Sequence, residues 1–210
     1  MHSYNTDELK KRFIAIEGID GAGTTTQMHL LVDSLQTKGY PCVATAEPTK
    51  QPIGVLIRSV LSGEYKVAPS TVAYLFAADR NDHIFGPNGI AETTHAGRLV
   101  ISDRYALSSL AYQGVTCGSE LPWQLNNQFP APGLTLLFKV DPSIALSRID
   151  SREKKEIYET LEFQKRVEEM YFSMADRLRN LGWNIISIDA TKSISEVQKA
   201  IERQVLAFLS

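Results

Sequence analysis

An apolar run, Phe13-Ile14-Ala15-Ile16, ends at Glu17 and passes straight into Gly18-Ile19-Asp20-Gly21-Ala22-Gly23-Thr24-Thr25-Thr26-Gln27. A buried strand, a glycine-rich loop and a helix in that order form the layout of a phosphate-binding loop, G-x-x-x-x-G-K-[ST]. Glycines at 18, 21 and 23 let the backbone approach an anion closely, so that successive N–H groups and the positive end of the helix face it. Thr25 stands at the Ser/Thr position, where a hydroxyl can meet Mg2+. The lysine position holds Thr24 instead, which has no charge to set against a polyphosphate. Two other readings compete. One is a plain strand-to-helix turn with Thr24 and Gln27 as a capping box. The other is a dinucleotide-binding turn, which would need glycine where Asp20 stands.

Further runs suited to buried parallel strands fall at 41–45, 98–102, 134–140 and 184–188. Helical patterns over 25–38, 67–83 and 158–181, and from Asp141-Pro142, separate them. Ser193 and Glu196 make a capping-box pattern, followed by an apolar stripe of Ile194, Val197, Ile201, Val205 and Phe208. This alternation predicts one α/β domain over 1–210, a five-stranded parallel sheet with helices on both faces. Ligands of such a sheet bind beyond the carboxyl ends of its strands.

A net charge of −2 speaks against a surface built to neutralise nucleic acid, and no apolar run approaches a membrane span. The first eleven residues are too polar for a secretory leader. Cys42 and Cys117 lie far apart and near no ligand-like cluster, as expected of reduced thiols in a cytoplasmic protein.

A second constellation supports phosphate binding. Leu99-Val100-Ile101 reads as a buried strand with Ser102-Asp103-Arg104-Tyr105 at its carboxyl end. An acid there can hold a metal or its waters, and an arginine can grip phosphate through two parallel hydrogen bonds. A surface ion pair is the plainer alternative. Arg148, Arg152, Lys154 and Lys155 form a basic cluster between two helical patterns.

Together these segments resemble the thymidylate kinase family. The resemblance rests on Phe13 to Gly23, on Glu47-Pro48-Thr49 with Pro52-Ile53-Gly54 and Arg58, and on Leu75-Phe76-Ala77-Ala78-Asp79-Arg80 with His83. It continues through Ser102 to Tyr105, Ser108-Ser109, Tyr112-Gln113, and Tyr158-Glu159 with Leu161-Glu162-Phe163 and Arg166-Val167. It implies a P-loop kinase fold with a short basic lid near 148–157. It also implies phosphorylation of dTMP to dTDP by ATP and Mg2+, and a homodimer in the cytoplasm.

The implied ATP site comprises Gly18, Ile19, Asp20, Gly21, Ala22, Gly23, Thr24, Thr25 and Thr26, with Arg148 and Arg152 from the lid. Asp20 would contact the acceptor sugar, and Arg80 and Arg104 its phosphate or pyrimidine. Phe76 would stack on thymine. Ser109, Tyr112 and Gln113 would line the base and sugar pocket, with Glu47, Pro48 and Arg58 over the acceptor. Thr25 and Asp103, the latter through water, would hold the metal, and Asp20, Arg104 and Arg152 would carry catalysis. Arg152, or else Arg148, Lys154 or Lys155, would supply the charge that Thr24 lacks. Where the family often has arginine before Glu-Pro this chain has Ala46, and Glu156-Ile157 replaces its acid-arginine pair. Phosphorylation of another nucleoside monophosphate, and nucleotide binding with weakened catalysis, remain alternative functions.

Overall fold

Five parallel strands lie in the order β2-β3-β1-β4-β5. They are β1 (Phe13–Glu17), β2 (Cys42–Ala46), β3 (Leu99–Asp103), β4 (Leu134–Lys139) and β5 (Ile185–Asp189). The computed structural model describes residues 6–149 and 160–210. Every residue of β1 and β3 is buried, as continuous apolar runs in the middle of a covered sheet require. Successive side chains alternate between the sheet's faces. Ile14 and Ile16 accordingly pack with Met28, Leu31 and Leu35, whereas Phe13 and Ala15 pack with Leu9, Ile84, Ile90 and Tyr105.

The helices are α1 (Thr6–Arg12), α2 (Thr24–Thr37), α3 (Pro52–Leu61), α4 (Pro69–Phe85), α5 (Ile90–His95), α6 (Ala106–Cys117), α7 (Glu120–Asn126), α8 (Pro142–Ile149), α9 (Leu161–Asn180) and α10 (Ile194–Leu209). The capping box at Ser193 forms with both of its bonds. Ile194 departs from the expected stripe, standing 62% exposed while Val197, Ile201 and Val205 are buried. The helix expected from 158 begins at Leu161 among the described residues, where the Thr160 side chain accepts from the N–H of Phe163. The sequence pattern does not single out α6. Its inward face carries Ser108, Ser109 and Gln113, so a buried helix surface there is polar.

Register fixes the location of the site. Ile16 of β1 and Ala46 of β2 both pair with Asp103 of β3. The glycine-rich loop, the Glu47-Pro48 loop and Arg104 therefore emerge side by side at the carboxyl end of the sheet.

Candidate active site

The loop between β1 and α2 is held by backbone geometry. Gly21 has φ 81°, and a Cβ there would lie 2.1 Å from the carbonyl oxygen of Ala145. Gly23, at φ 90°, is the N-cap of α2 with no side-chain cap. The expected alternative of a Thr24–Gln27 capping box is therefore not what forms. Gln27 Nε2 instead donates to the carbonyl of Ile194 at 2.9 Å, tying the start of α2 to α10. Thr24 is buried, and its methyl carbon lies 3.4 Å from where a Cβ on Gly18 would stand.

Above this loop opens a cleft of roughly 600 Å³, walled by Asp20 through Gln27, Arg104, Arg148, Lys192 and Val197. Arg148 reaches it from the end of α8 while its Nη2 donates to the carbonyl of Ala190 at 3.0 Å. Arg152, Lys154 and Lys155 lie outside the described residues. Lys192, which the sequence reading does not assign, brings a further cation from the β5–α10 connection.

A second cleft, of roughly 160 Å³, is lined by every residue assigned above to the acceptor, together with Leu61, Tyr105 and Ser108. Its far wall is built around Arg80, which is fully buried. Arg80 Nη2 donates to Glu47 Oε2 at 2.5 Å and to Ser109 Oγ at 3.0 Å, and Nη1 donates to Asn126 Oδ1. The other Glu47 oxygen faces His83 Nδ1 at 3.1 Å, and His83 Nε2 lies 2.6 Å from Thr45 Oγ1. A buried charge is tolerable only with such pairing.

α4 also fastens the next loop residue, because Asp79 accepts from Thr49 N at 2.7 Å and Thr49 Oγ1 at 2.6 Å. The Glu47-Pro48 peptide bond is cis. Arg58 donates to the carbonyls of Pro48 and Thr49, bracing this loop from the cleft's edge. Arg80 Nε and Gln113 Oε1 are buried and have no hydrogen-bond partner among the described residues. One is a donor and the other an acceptor, and both residues line the cleft.

Asp20 and Arg104 belong to both clefts. Arg104 is held in the left-handed backbone region at φ 73°, a costly conformation for a residue with a side chain. Its N–H donates to the carbonyl of Ile16 at 2.8 Å, and its own carbonyl accepts from Ser102 Oγ at 2.7 Å. Arg104 Nη2 donates to Asp20 Oδ1 at 2.6 Å and Nη1 to the carbonyl of Gly18 at 2.9 Å. Its guanidinium lies 5.2 Å from the centre of the Tyr112 ring. The other Asp20 oxygen accepts from Gln164 Nε2 at 2.9 Å, and the N–H of Asp20 donates to the Tyr112 hydroxyl at 3.0 Å. Burial first, and then the Asp20 charge, push the Tyr112 phenol upward, so it stays protonated.

Beside this junction Thr25 Oγ1 donates to Asp103 Oδ2, while the buried Asp103 Oδ1 has no partner among the described residues. A hydroxyl that donates to a carboxylate keeps lone pairs for a cation, and the unpaired carboxylate oxygen suits a metal-bound water. The described residues hold no group of three or more His, Cys, Asp or Glu placed as metal ligands. The hydroxyl and carboxylate of Thr25 and Asp103 are the kind of oxygen donors that Mg2+ takes one or two of, its shell being completed by phosphate and water.

Several participants receive no role in the sequence reading: Glu17, Ser108, Asn126, Gln164, Tyr171 and Lys192. Glu17 alone leaves a clear signal, an acid closing an otherwise apolar strand. His83, which the resemblance includes without a role, is a partner of Glu47 in the Glu47-Pro48 loop.

A family model described as thymidylate kinase matches residues 16–201. A putative thymidylate kinase of Treponema pallidum is 36% identical over 192 residues, covering 90% of this chain and 92% of that protein. A thymidylate kinase of a Geobacillus species is 38% identical, covering 90% and 93%. A probable thymidylate kinase of Pyrobaculum aerophilum is 42% identical, covering 88% and 91%.

Proposed function

Because the chain belongs to the thymidylate kinase family, we propose that it transfers the γ-phosphoryl group of ATP to dTMP, as a single domain over 1–210. The observation that carries this reading is the pair of clefts meeting at Asp20 and Arg104. A donor phosphate over the P-loop amides and an acceptor phosphate in the smaller cleft would face each other across those two side chains. The acceptor oxyanion is already ionised near neutral pH. Alignment and charge neutralisation therefore do the chemical work, and no general base is needed.

The unpaired donor at Arg80 and acceptor at Gln113 match the O4 and N3–H edge of thymine. Cytosine presents a donor and an acceptor in the opposite sense and would leave both groups unmet. Phe76 offers its ring to the base, and Ser109 holds Arg80 in place. Thr25 and Asp103 would hold Mg2+, whose chemistry is to neutralise the bridging phosphate charge. Arg152 or Arg148 would offset the charge missing at Thr24.

Val55 and Leu56 of α3 and Tyr74 of α4 expose apolar surface that a second copy would cover, consistent with a homodimer. Light scattering at micromolar concentration tests that assignment, and a monomer mass contradicts it. No helix of the described residues is long and apolar enough to cross a membrane. The cysteines are free, as suits the cytoplasm.

An ADP-release panel tests the substrate assignment. We expect dTMP and dUMP to turn over, since the thymine methyl adds only a modest apolar contribution, and dCMP to react at least about a hundredfold more slowly. Comparable rates with dCMP would overturn the pyrimidine assignment. Thr24 favours one further reading, a nucleotide-binding protein with weakened catalysis, and binding without release of ADP would support it.

A further inference from the structure

Behind Arg104 stands a second carboxylate that the proposed reaction does not use. Glu17 closes β1 on the same sheet face as Phe13 and Ala15 and is fully buried. Its Oε1 accepts from the backbone N–H groups of Tyr105 at 2.9 Å and Ser108 at 3.3 Å. Its Oε2 accepts from Ser108 Oγ at 2.5 Å and from the Tyr171 hydroxyl at 3.3 Å. Those two hydroxyls lie 2.7 Å apart. Both also accept from Arg104 Nη1, at 3.3 Å and 3.2 Å.

Each hydroxyl owns one proton. With Glu17 ionised, Ser108 donates to Oε2, and Tyr171 donates to Oε2 or to Ser108. The lone pairs of both oxygens are then left for Arg104. Arg104 is thus gripped by Asp20 on one side and, through two hydroxyls, by Glu17 on the other.

We infer that Glu17 is a positioning residue for phosphoryl transfer, setting the approach of Arg104 to the junction of the clefts through Ser108 and Tyr171. This rests on the function proposed above. A neutral amide of the same shape cannot replace it. The backbone N–H groups would hold the amide oxygen, so its NH2 would face the two hydroxyls and turn their protons toward Arg104.

Glu17→Gln, Tyr171→Phe and the double variant, assayed with dTMP and ATP at pH 8, where Glu17 is ionised, test this role. A displaced arginine predicts that Glu17→Gln lowers kcat by about tenfold or more with the KM for ATP unchanged within about twofold. Tyr171→Phe should lower kcat by a smaller factor. The double variant should fall no further than Glu17→Gln alone, because both changes cut one chain. Folded Glu17→Gln protein with wild-type kcat would overturn the inference. If Glu17→Gln does not fold, Ser108→Ala and Tyr171→Phe decide: reduced kcat in both supports the role, and wild-type kcat in both overturns it.

Turnover of dTMP by the wild type tests the function separately. Should it be absent, calorimetric binding of dTMP still reads the position of Arg104. Binding weaker by about fivefold or more in Glu17→Gln supports the inference, and equal affinity overturns it.

Discussion

The two clefts that meet at Asp20 and Arg104 are built in opposite ways. The acceptor cleft is a lattice of side chains: Arg80 is fastened by Glu47, Ser109 and Asn126, and Glu47 in turn by His83. The donor cleft is several times roomier and is built on backbone, with glycines at positive φ and the start of α2. Its described cations, Arg104, Arg148 and Lys192, come from outside the loop. A base must be told from other bases, which needs fixed donors and acceptors. A triphosphate needs chiefly positive potential, which amides, a helix terminus and cations from any direction can supply. This difference accounts for how the loop can carry Thr24: a charge on one side chain can be relocated, whereas a paired donor and acceptor cannot.

The comparison breaks most sharply at the residue the clefts share. Arg104→Ala should cost about a thousandfold in kcat/KM for dTMP, the scale of losing a phosphate-directed arginine. A loss under tenfold would mean that the clefts do not meet functionally there. Next comes the acceptor lattice. Arg80→Met leaves Glu47 buried without its cation, and denaturant unfolding should show about 3 kcal/mol of lost stability. Among the described residues, no ion pair of the P-loop cleft is buried as completely as this one.

Glu17 gives the third test, through pH. Burial pushes its carboxyl up to about 7, against the opposing pull of Ser108 and of the Arg104 and Arg80 charges. Tyr105 and Ser108 of the segment after β3 and Tyr171 of α9 also face it. Between the ordinary glutamate value and about 7 the folded state holds a proton that the unfolded chain has released. The stability from Glu17 is therefore complete at low pH and is lost as pH rises through about 7. Denaturant unfolding at pH 5 and pH 8 should show a decline of up to about 3 kcal/mol in wild type that Glu17→Gln lacks. Equal slopes in the two proteins would contradict the shift.

On the donor side, Arg152→Ala or Arg148→Ala should reduce turnover at saturating ATP and Mg2+ by about tenfold. Near-normal rates in both would remove the basic segment as the source of the missing charge. The smallest effect is expected for Thr24→Lys. Thr24 lines a cleft whose cations already come from outside the loop, so restoring lysine should change the rate by less than about tenfold; a larger gain would show a true deficit of charge.

What the sequence disclosed follows the same division. Apolar runs marked all five strands, most plainly β1, β3 and β4, which are buried almost throughout, whereas the edge strands β2 and β5 are only partly covered. The P-loop was legible because backbone approach demands glycines at set places. The residues proposed for the acceptor were legible only as a family pattern. Arg80 sits in a helix whose inward side carries Asp79 and Arg80, and α6 hides Ser108, Ser109 and Gln113 in the same way. The pattern over 67–83 found α4 but gave its polar inward residues no role, and α6, with a polar buried face, escaped it. Gln27 shows the converse, since its spacing from Thr24 suggested a local cap, but its partner lies in α10, far away in sequence. Glu17, Gln164 and Tyr171 act through partners on other elements, and such pairings become visible only once the sheet and α9 bring them together.

The most direct test of the account is product identity. Phosphorus NMR of the protein mixed with ATP, Mg2+ and dTMP should show the β-phosphate of dTDP growing in step with ADP. ATP consumed without dTDP, or no reaction with both nucleotides saturating, would contradict the claim that Asp20 and Arg104 join a donor cleft to an acceptor cleft for phosphoryl transfer.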